Sequence, residues 1–150
     1  MTAQQIAEAT RDAMWANDRA SKALGMQITA VGPGTATLTM TVRDDMLNGH
    51  DLCHGGLIAT LADSAFAFAC NSHNRVTVAN NCAITFTRPG RAGDVLTATA
   101  EEVHRGGRSG VCEVRVTNGG GELIALFRGH STEIKGELVP GLTKPASTTP

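Results

Sequence analysis

Tyrosine is absent from this chain, and a single Trp stands beside four Phe. A core with so few rings has to be built from Ala, Val, Leu, Ile and Met. Strong charge is missing too: the net formal charge is −1 and there is no dense run of Lys or Arg. That gives no support to a nucleic-acid partner or an anionic membrane surface. The longest largely apolar stretch, residues 57–70, is interrupted by Thr60, Asp63 and Ser64. It is too short and too polar to span a bilayer. The opening MTAQQIAEATRDAMW lacks the basic-then-apolar order of a secretory signal. Cys53, Cys70, Cys82 and Cys112 are widely spaced and make no CxxC pair, so reduced, packed thiols are expected in place of a disulfide frame. No GxxxxGK(S/T) loop is present, which leaves nucleoside-triphosphate chemistry unsupported. These absences lead to the expectation of a cytoplasmic protein.

What is present fits one domain. The chain has 150 residues, 41% of them hydrophobic, enough for a single core. Residues 2–24 read as a helix, with Ile6, Ala9, Ala13 and Ala16 at helical spacing and Gly25 placed to end it. Two strands follow, 26–31 and 35–42, joined at Gly32-Pro33-Gly34. The second alternates Ala36, Leu38, Met40 and Val42 with threonines, the period of a half-buried strand. Residues 44–54 lack periodicity and read as a loop. Gly55-Gly56 then opens an Ala-rich helix over 57–72 that is apolar on nearly all sides, so it must be covered on most of its circumference. Four strands are expected after it, at 76–87, 94–104, 110–118 and 122–134, separated at Arg88-Pro89-Gly90, Arg105-Gly106-Gly107 and Gly119-Gly120-Gly121. This order predicts an α+β domain over residues 1–135, an antiparallel sheet curled around one central helix. The stretch 136–150, with Pro140 and Pro145, is expected to be a disordered tail.

Chemistry concentrates in Asn48-Gly49-His50-Asp51-Leu52-Cys53-His54-Gly55-Gly56 and in Leu61-Ala62-Asp63-Ser64. Asp63 falls in the middle of the apolar helix, where an ionised carboxylate carries a desolvation cost unless partners or water are at hand. On a helical projection it shares a side with Gly56, Thr60 and Ala67, all small or polar, so that stripe leaves room for something to approach. A structural Asp bonded to a neighbouring segment is the plainer alternative. The Gly55-Gly56 helix start offers unpaired N–H groups at the positive end of the macrodipole, a candidate oxyanion hole. A tight turn would use the same pair.

Geometry links the two features. Eight residues separate Gly55 from Asp63, about 12 Å of helix. An attacked carbonyl carbon must lie within roughly 3–3.5 Å of its attacker while its oxygen meets the stabilising donor. One chain therefore cannot bring both groups to one carbonyl, whereas an antiparallel copy of the helix from a second chain can. A dimer with two equivalent sites is predicted.

These residues resemble the phenylacetic-acid-degradation thioesterase family. The likeness is carried by Met14-Trp15-Ala16-Asn17-Asp18-Arg19-Ala20-Ser21, the loop from Leu47 to Gly56, and Leu61-Ala62-Asp63-Ser64-Ala65-Phe66-Ala67. It continues through Phe86-Thr87-Arg88-Pro89, Gly93-Asp94 and Phe127-Arg128-Gly129, covering about residues 6–134. The resemblance implies a hotdog fold, a dimer or more often a homotetramer of two dimers, and hydrolysis of aryl-acyl-CoA thioesters without cofactor or metal. It implies Asp63 as nucleophile or general base, the Gly55 amide polarising the thioester carbonyl, Asn48 orienting substrate or water, and His54 shaping the loop into the helix. Nucleotide contacts are implied in two turns, through Arg88, Gly90 and Arg91 in one and Gly107, Arg108 and Ser109 in the other. Some related thioesterases carry Ser or Thr on the strand facing the site, where this chain has Ala79. Any water-positioning role for that hydroxyl is then absent or passes to Asn80 or Asn81.

Rival readings are weaker. His50, Asp51, Cys53 and His54 are all possible metal ligands, but four within five residues of one loop seldom close a tetrahedron. A Cys53 nucleophile with a His54 base would need adjacent side chains to face each other and has no third group to orient the base. A non-catalytic acyl-CoA sensor on the same fold would be expected to carry a DNA-binding segment, and the N-terminal helix is too short for one. A dehydratase of the same fold would use an acid/base His and a downstream Glu, a spacing that Asp63 and the HGG turn do not offer.

Overall fold

The computed structural model describes residues 1–142; residues 143–150, the greater part of the expected tail, lie outside the described residues. The N-terminal region forms two helices, α1 (Ala3–Asn17) and α2 (Arg19–Ala23), where the sequence suggested one. Asp18 makes the break. Its carboxylate accepts from the Ser21 backbone N–H at 3.0 Å and from Ser21 Oγ at 2.7 Å, so it caps α2 and does not continue α1. Short acidic side chains favour this local bonding over a helix interior. Thr2 and Gln5 close a capping box at the start of α1, and Gly25, at φ 71°, ends α2.

Strands β1 (Gln27–Gly32) and β2 (Thr35–Thr41) form the expected hairpin. A short 3-10 turn at Asp44–Met46 and a bridge between Leu47 and Cys53 give shape to the segment that showed no periodicity. Helix α3 (Gly55–Cys70) follows, then β3 (Thr77–Phe86), β4 (Val95–Gly106), β5 (Ser109–Thr117) and β6 (Leu123–Glu133). All strand pairs are antiparallel in one six-stranded sheet of order β1-β2-β4-β5-β6-β3.

Register explains how so few rings fill the core. One row across the sheet runs Ala36, Ala100, Val114, Phe127 and Ile84, and the next runs Leu38, Ala98, Val116 and Ala125. The alanines in these rows let α3 lie close, and Ile58, Leu61, Ala65, Phe66 and Phe68 fill the space between helix and sheet. Phe66 meets Phe127 at a centroid distance of 5.8 Å. Gly129 is required beneath it, since a Cβ there would come within 2.8 Å of the Phe66 ring. Burying each such Leu, Ile or Phe side chain contributes about 1.5–3 kcal/mol. The sheet thus curls around α3 in the hotdog arrangement. Gly56 and Asp63 are the exposed residues of the helix, and Thr60 and Ala67 on the same stripe are half-buried, as are Gly55, Leu57, Ala59 and Ser64.

From Gly136 to Leu142, expected as the start of the tail, the chain turns back on the body: Asn74 accepts from Val139 N–H at 2.8 Å and donates to Val139 O at 2.9 Å. No helix among the described residues is long and apolar enough to cross a membrane.

Candidate active site

The site begins at the first turn of α3. An α-helix starts with N–H groups that its own carbonyls cannot serve. Here His54, the N-cap, answers two of them: its Nδ1 accepts from Gly56 N–H at 3.1 Å and its carbonyl from Leu57 N–H at 2.9 Å. The same carbonyl takes the first regular helix bond from Ile58 N–H at 3.3 Å. The acceptor role of Nδ1 puts the ring proton on Nε2. The Gly55 N–H has no acceptor among the described residues. It is an open donor at the positive end of a 16-residue helix. Gly55 must be glycine for a packing reason as well: a Cβ there would stand 3.0 Å from Phe86 Cζ.

The loop before the helix is held from both sides. His54 N–H donates to Met46 O at 2.8 Å, and Cys53 N–H donates to Gly90 O at 2.8 Å. Asn48 Oδ1 accepts from His50 and Leu52 N–H at 2.9 and 3.3 Å. Its amide Nδ2 stays free as a donor among the described residues. Beside the helix start a groove of about 370 Å³ opens between Met46, Leu47, His54, Gly56 and Leu57.

Asp63 stands two turns along the same helix, on the open stripe. No hydrogen bond reaches its carboxylate among the described residues. Though solvent touches it in a single protomer, the apolar body of α3 desolvates it and raises its pKa above the ordinary 3.8. Such a carboxylate is a better base than a solvated one. Its sequence neighbour Ser64 is tied to the N-terminal region. Ser21 spends its only proton on Asp18, so Ser64 Oγ donates to Ser21 Oγ across 2.8 Å.

The predicted nucleotide residues divide between two places. Gly90 lies against Cys53 at the Gly55 end, while the Arg88 guanidinium pairs with Glu122 at 3.0 Å and Arg91 N–H donates to Asp94 at 2.8 Å. Gly107 and Arg108 make the β4–β5 turn, with Ser109 the first residue of β5, at the far end of the 12-residue β4, roughly 35 Å away along the strand. One chain does not bring the two turns together. A larger cleft of about 420 Å³, lined in part by His73, Arg75, Arg105 and Glu133, also lies at that far end, and its charges pair with one another: Arg75 meets Glu133 at 2.9 Å and Arg105 meets it at 3.7 Å.

Ala79 is on β3, next to a bulge at Asn80. Asn80 Nδ2 donates to Thr132 Oγ1 at 2.5 Å, which commits it to the sheet, and Asn81 is exposed opposite His130. The side chains of His50, Asp51, Cys53 and His54 do not gather into a metal-ligand cluster among the described residues. Burial, and secondarily Asp94, pushes the Cys53 thiol up, away from the reactive thiolate. Sequence reasoning missed the Phe86 ring against Gly55 and the Met46–Leu47–Leu57 groove. Phe86 sat within a quoted motif, and an aromatic in a ring-poor chain was the available signal.

A family model described as the thioesterase superfamily matches residues 50–125. The acyl-coenzyme A thioesterase PaaI of Escherichia coli is 50% identical over 126 residues, 84% of this chain and 90% of that protein. The structure of the E. coli PaaI protein from the phenylacetic acid degradation operon superposes with a TM-score of 0.89 at 47% identity, covering 91% of this chain and 99% of that one. A hypothetical thioesterase of Streptococcus pneumoniae, solved with coenzyme A, superposes at 0.71 with 27% identity, covering 75% of this chain and 90% of that one.

Proposed function

The chain belongs to the thioesterase superfamily, with the phenylacetic-acid-degradation thioesterases, and is an acyl-CoA thioester hydrolase; from that premise we propose that it cleaves aryl-acyl-CoA thioesters such as phenylacetyl-CoA or its ring-hydroxylated relatives at sites shared between two subunits. The observation that carries the reading is a pair of unanswered groups on one helix: the Gly55 N–H and the desolvated Asp63 carboxylate. They lie about 12 Å apart along α3, too far to serve one carbonyl from one chain. With a second α3 running antiparallel alongside, Asp63 of the partner subunit comes to the Gly55 end, and two-fold symmetry repeats the site.

In that arrangement the thioester oxygen accepts from Gly55 N–H, which stabilises charge as it develops on the oxygen. Asp63 attacks the carbonyl carbon to give a mixed anhydride, or takes a proton from a water that attacks it. Either way the C–S bond breaks and CoA leaves as its thiolate and is protonated. On the first route water then cleaves the anhydride, freeing the acid and regenerating Asp63; on the second the attacking water's oxygen ends in the acid. Asn48, its Oδ1 occupied within its own loop, keeps its amide N–H groups to orient substrate or water. His54 holds the loop onto the helix.

Two further features support a shared site. Strand β3 is an unpaired sheet edge whose 10 residues are nearly all exposed, ready to pair with another copy. The two basic turns lie at opposite ends of one sheet, so the phosphates at one end of CoA would meet Arg88, Gly90 and Arg91 of one chain together with Gly107, Arg108 and Ser109 of the partner subunit. A tetramer would pair two such dimers, and the hotdog domain itself would span residues 1–135.

A panel of aromatic and straight-chain acyl-CoA thioesters, read by free-thiol release, tests the substrate class; aromatic thioesters should be turned over fastest. Subunit exchange tests the shared site. Asp63→Ala and Asn48→Ala proteins, each inactive alone, should on equal mixing recover roughly a quarter of the wild-type rate, because half the dimers then hold one intact site of two. No recovery after demonstrated exchange overturns it.

A further inference from the structure

Of the five aromatic residues, Trp15 is half-buried, three Phe are buried in the core, and Phe86 alone stands exposed, at 49%. That exposure is of the lone protomer, in which β3 is an open sheet edge. Its placement is also fixed. The tip of the ring abuts Gly55, so closely that a Cβ on that residue would meet Phe86 Cζ at 3.0 Å. Gly55 is the residue whose N–H is open at the head of α3. An exposed apolar ring is thereby held beside the place where the thioester carbonyl docks in the proposed site.

We propose that Phe86 is a specificity-determining residue: its exposed ring stacks against the aromatic acyl group and distinguishes aryl from straight-chain thioesters. This rests on the reading of Gly55 as the carbonyl donor and adds to it the group that selects the acyl arm. The choice of arm follows from chemistry. The pantetheine arm of CoA carries amides, which need donors and acceptors that a Phe ring lacks, whereas an aryl acyl group offers a second ring one or two bonds from the carbonyl. Met46, Leu47 and Leu57 give the neighbouring groove, which Asp45 and His54 also line, an aliphatic part that suits any apolar chain. A ring prefers another ring in an offset or tilted pair.

The test compares wild type, Phe86→Leu, Phe86→Tyr and Asp63→Asn on phenylacetyl-CoA and hexanoyl-CoA by thiol release. Leu keeps the apolar volume and removes the ring. Phe86→Leu should lower kcat/KM for phenylacetyl-CoA by about three- to tenfold, the range expected for one lost ring pair, and change that for hexanoyl-CoA by less than about twofold. Phe86→Tyr should restore the aryl preference. Equal losses on both thioesters, or an aryl preference untouched in Phe86→Leu, overturn the role of Phe86 while leaving the site intact. Asp63→Asn should abolish turnover of both substrates; if it stays active, the underlying site is wrong and the failure is not that of Phe86. Wild type that leaves phenylacetyl-CoA uncleaved overturns both.

Discussion

The two ends of the central helix are finished in opposite ways. At the C-terminal end, buried Asn71 donates through Nδ2 to Ala67 O and Thr77 O at 2.9 and 3.0 Å and accepts from Thr77 N–H at 2.9 Å. Buried Ser72 donates to Ala69 O and accepts from Gly34 N–H, both at 2.7 Å. The buried polar side chains there are answered by protein among the described residues. At the N-terminal end His54 answers the Gly56 and Leu57 N–H groups and leaves Gly55 open. The two carboxylates that α3 and its C-terminal turn meet repeat the contrast. Glu102, almost wholly buried, bonds His73 Nε2 at 2.8 Å, whereas Asp63 is exposed, only partly desolvated, and has no protein partner among the described residues. An open backbone donor and a partly desolvated, solvent-facing carboxylate on one helix are what the proposed site rests on, with a ligand supplying the missing partner.

If that contrast is sound, changes at the two ends must separate into lost rate and lost stability. The largest effect is at the open end: Asp63→Asn should cut kcat by about a thousandfold, within the range for a lost acid–base group, with no loss of melting temperature. Next comes the closed end. Asn71→Ala removes the acceptor of the Thr77 N–H and the side-chain donor to Thr77 O, while Ala67 O keeps the Asn71 N–H. It should cost about 1–3 kcal/mol in urea unfolding, while turnover per folded molecule stays within about twofold. An Asn71→Ala protein that folds normally but turns over slowly breaks the comparison. His54→Ala falls between. Losing a helix cap costs about 1 kcal/mol, and a second open N–H with a loosened loop should lower kcat by roughly tenfold.

Much of this could be read from residue order. The alternating Ala36-Leu38-Met40 strand, the Gly-rich breaks and the all-round apolar helix led to the sheet and what it encloses, because period and turn chemistry are local properties. The open stripe of Gly56, Thr60, Asp63 and Ala67 followed from helical geometry alone. The break at Asp18 did not, since it depends on whether a short acid bonds its own chain or Ser21. Nor did the Phe86 contact, because Phe86 and Gly55 are 31 residues apart and meet only once β3 takes the edge position. Which N–H of the helix start stays open depended on the His54 rotamer, a choice set by packing.

The smallest effect probes the contrast most finely. Because desolvation raises the Asp63 pKa above 3.8, the folded protein favours the protonated acid. The stability this brings is fully present below the unfolded pKa and is lost as pH rises through the raised folded value. In the proposed role Asp63 acts ionised, so kcat/KM should fall on acidification along a limb that lies above 3.8. Asn at this position carries no charge to desolvate at any pH. Asp63→Asn should therefore melt slightly above wild type at pH 7, by a small margin because solvent reaches the group, and the gap should close toward acid pH. A lower melting point for Asp63→Asn at pH 7 means that the assembled protein does pair this carboxylate, as it pairs Glu102, and the distinction between a structural acid and a chemical one then disappears.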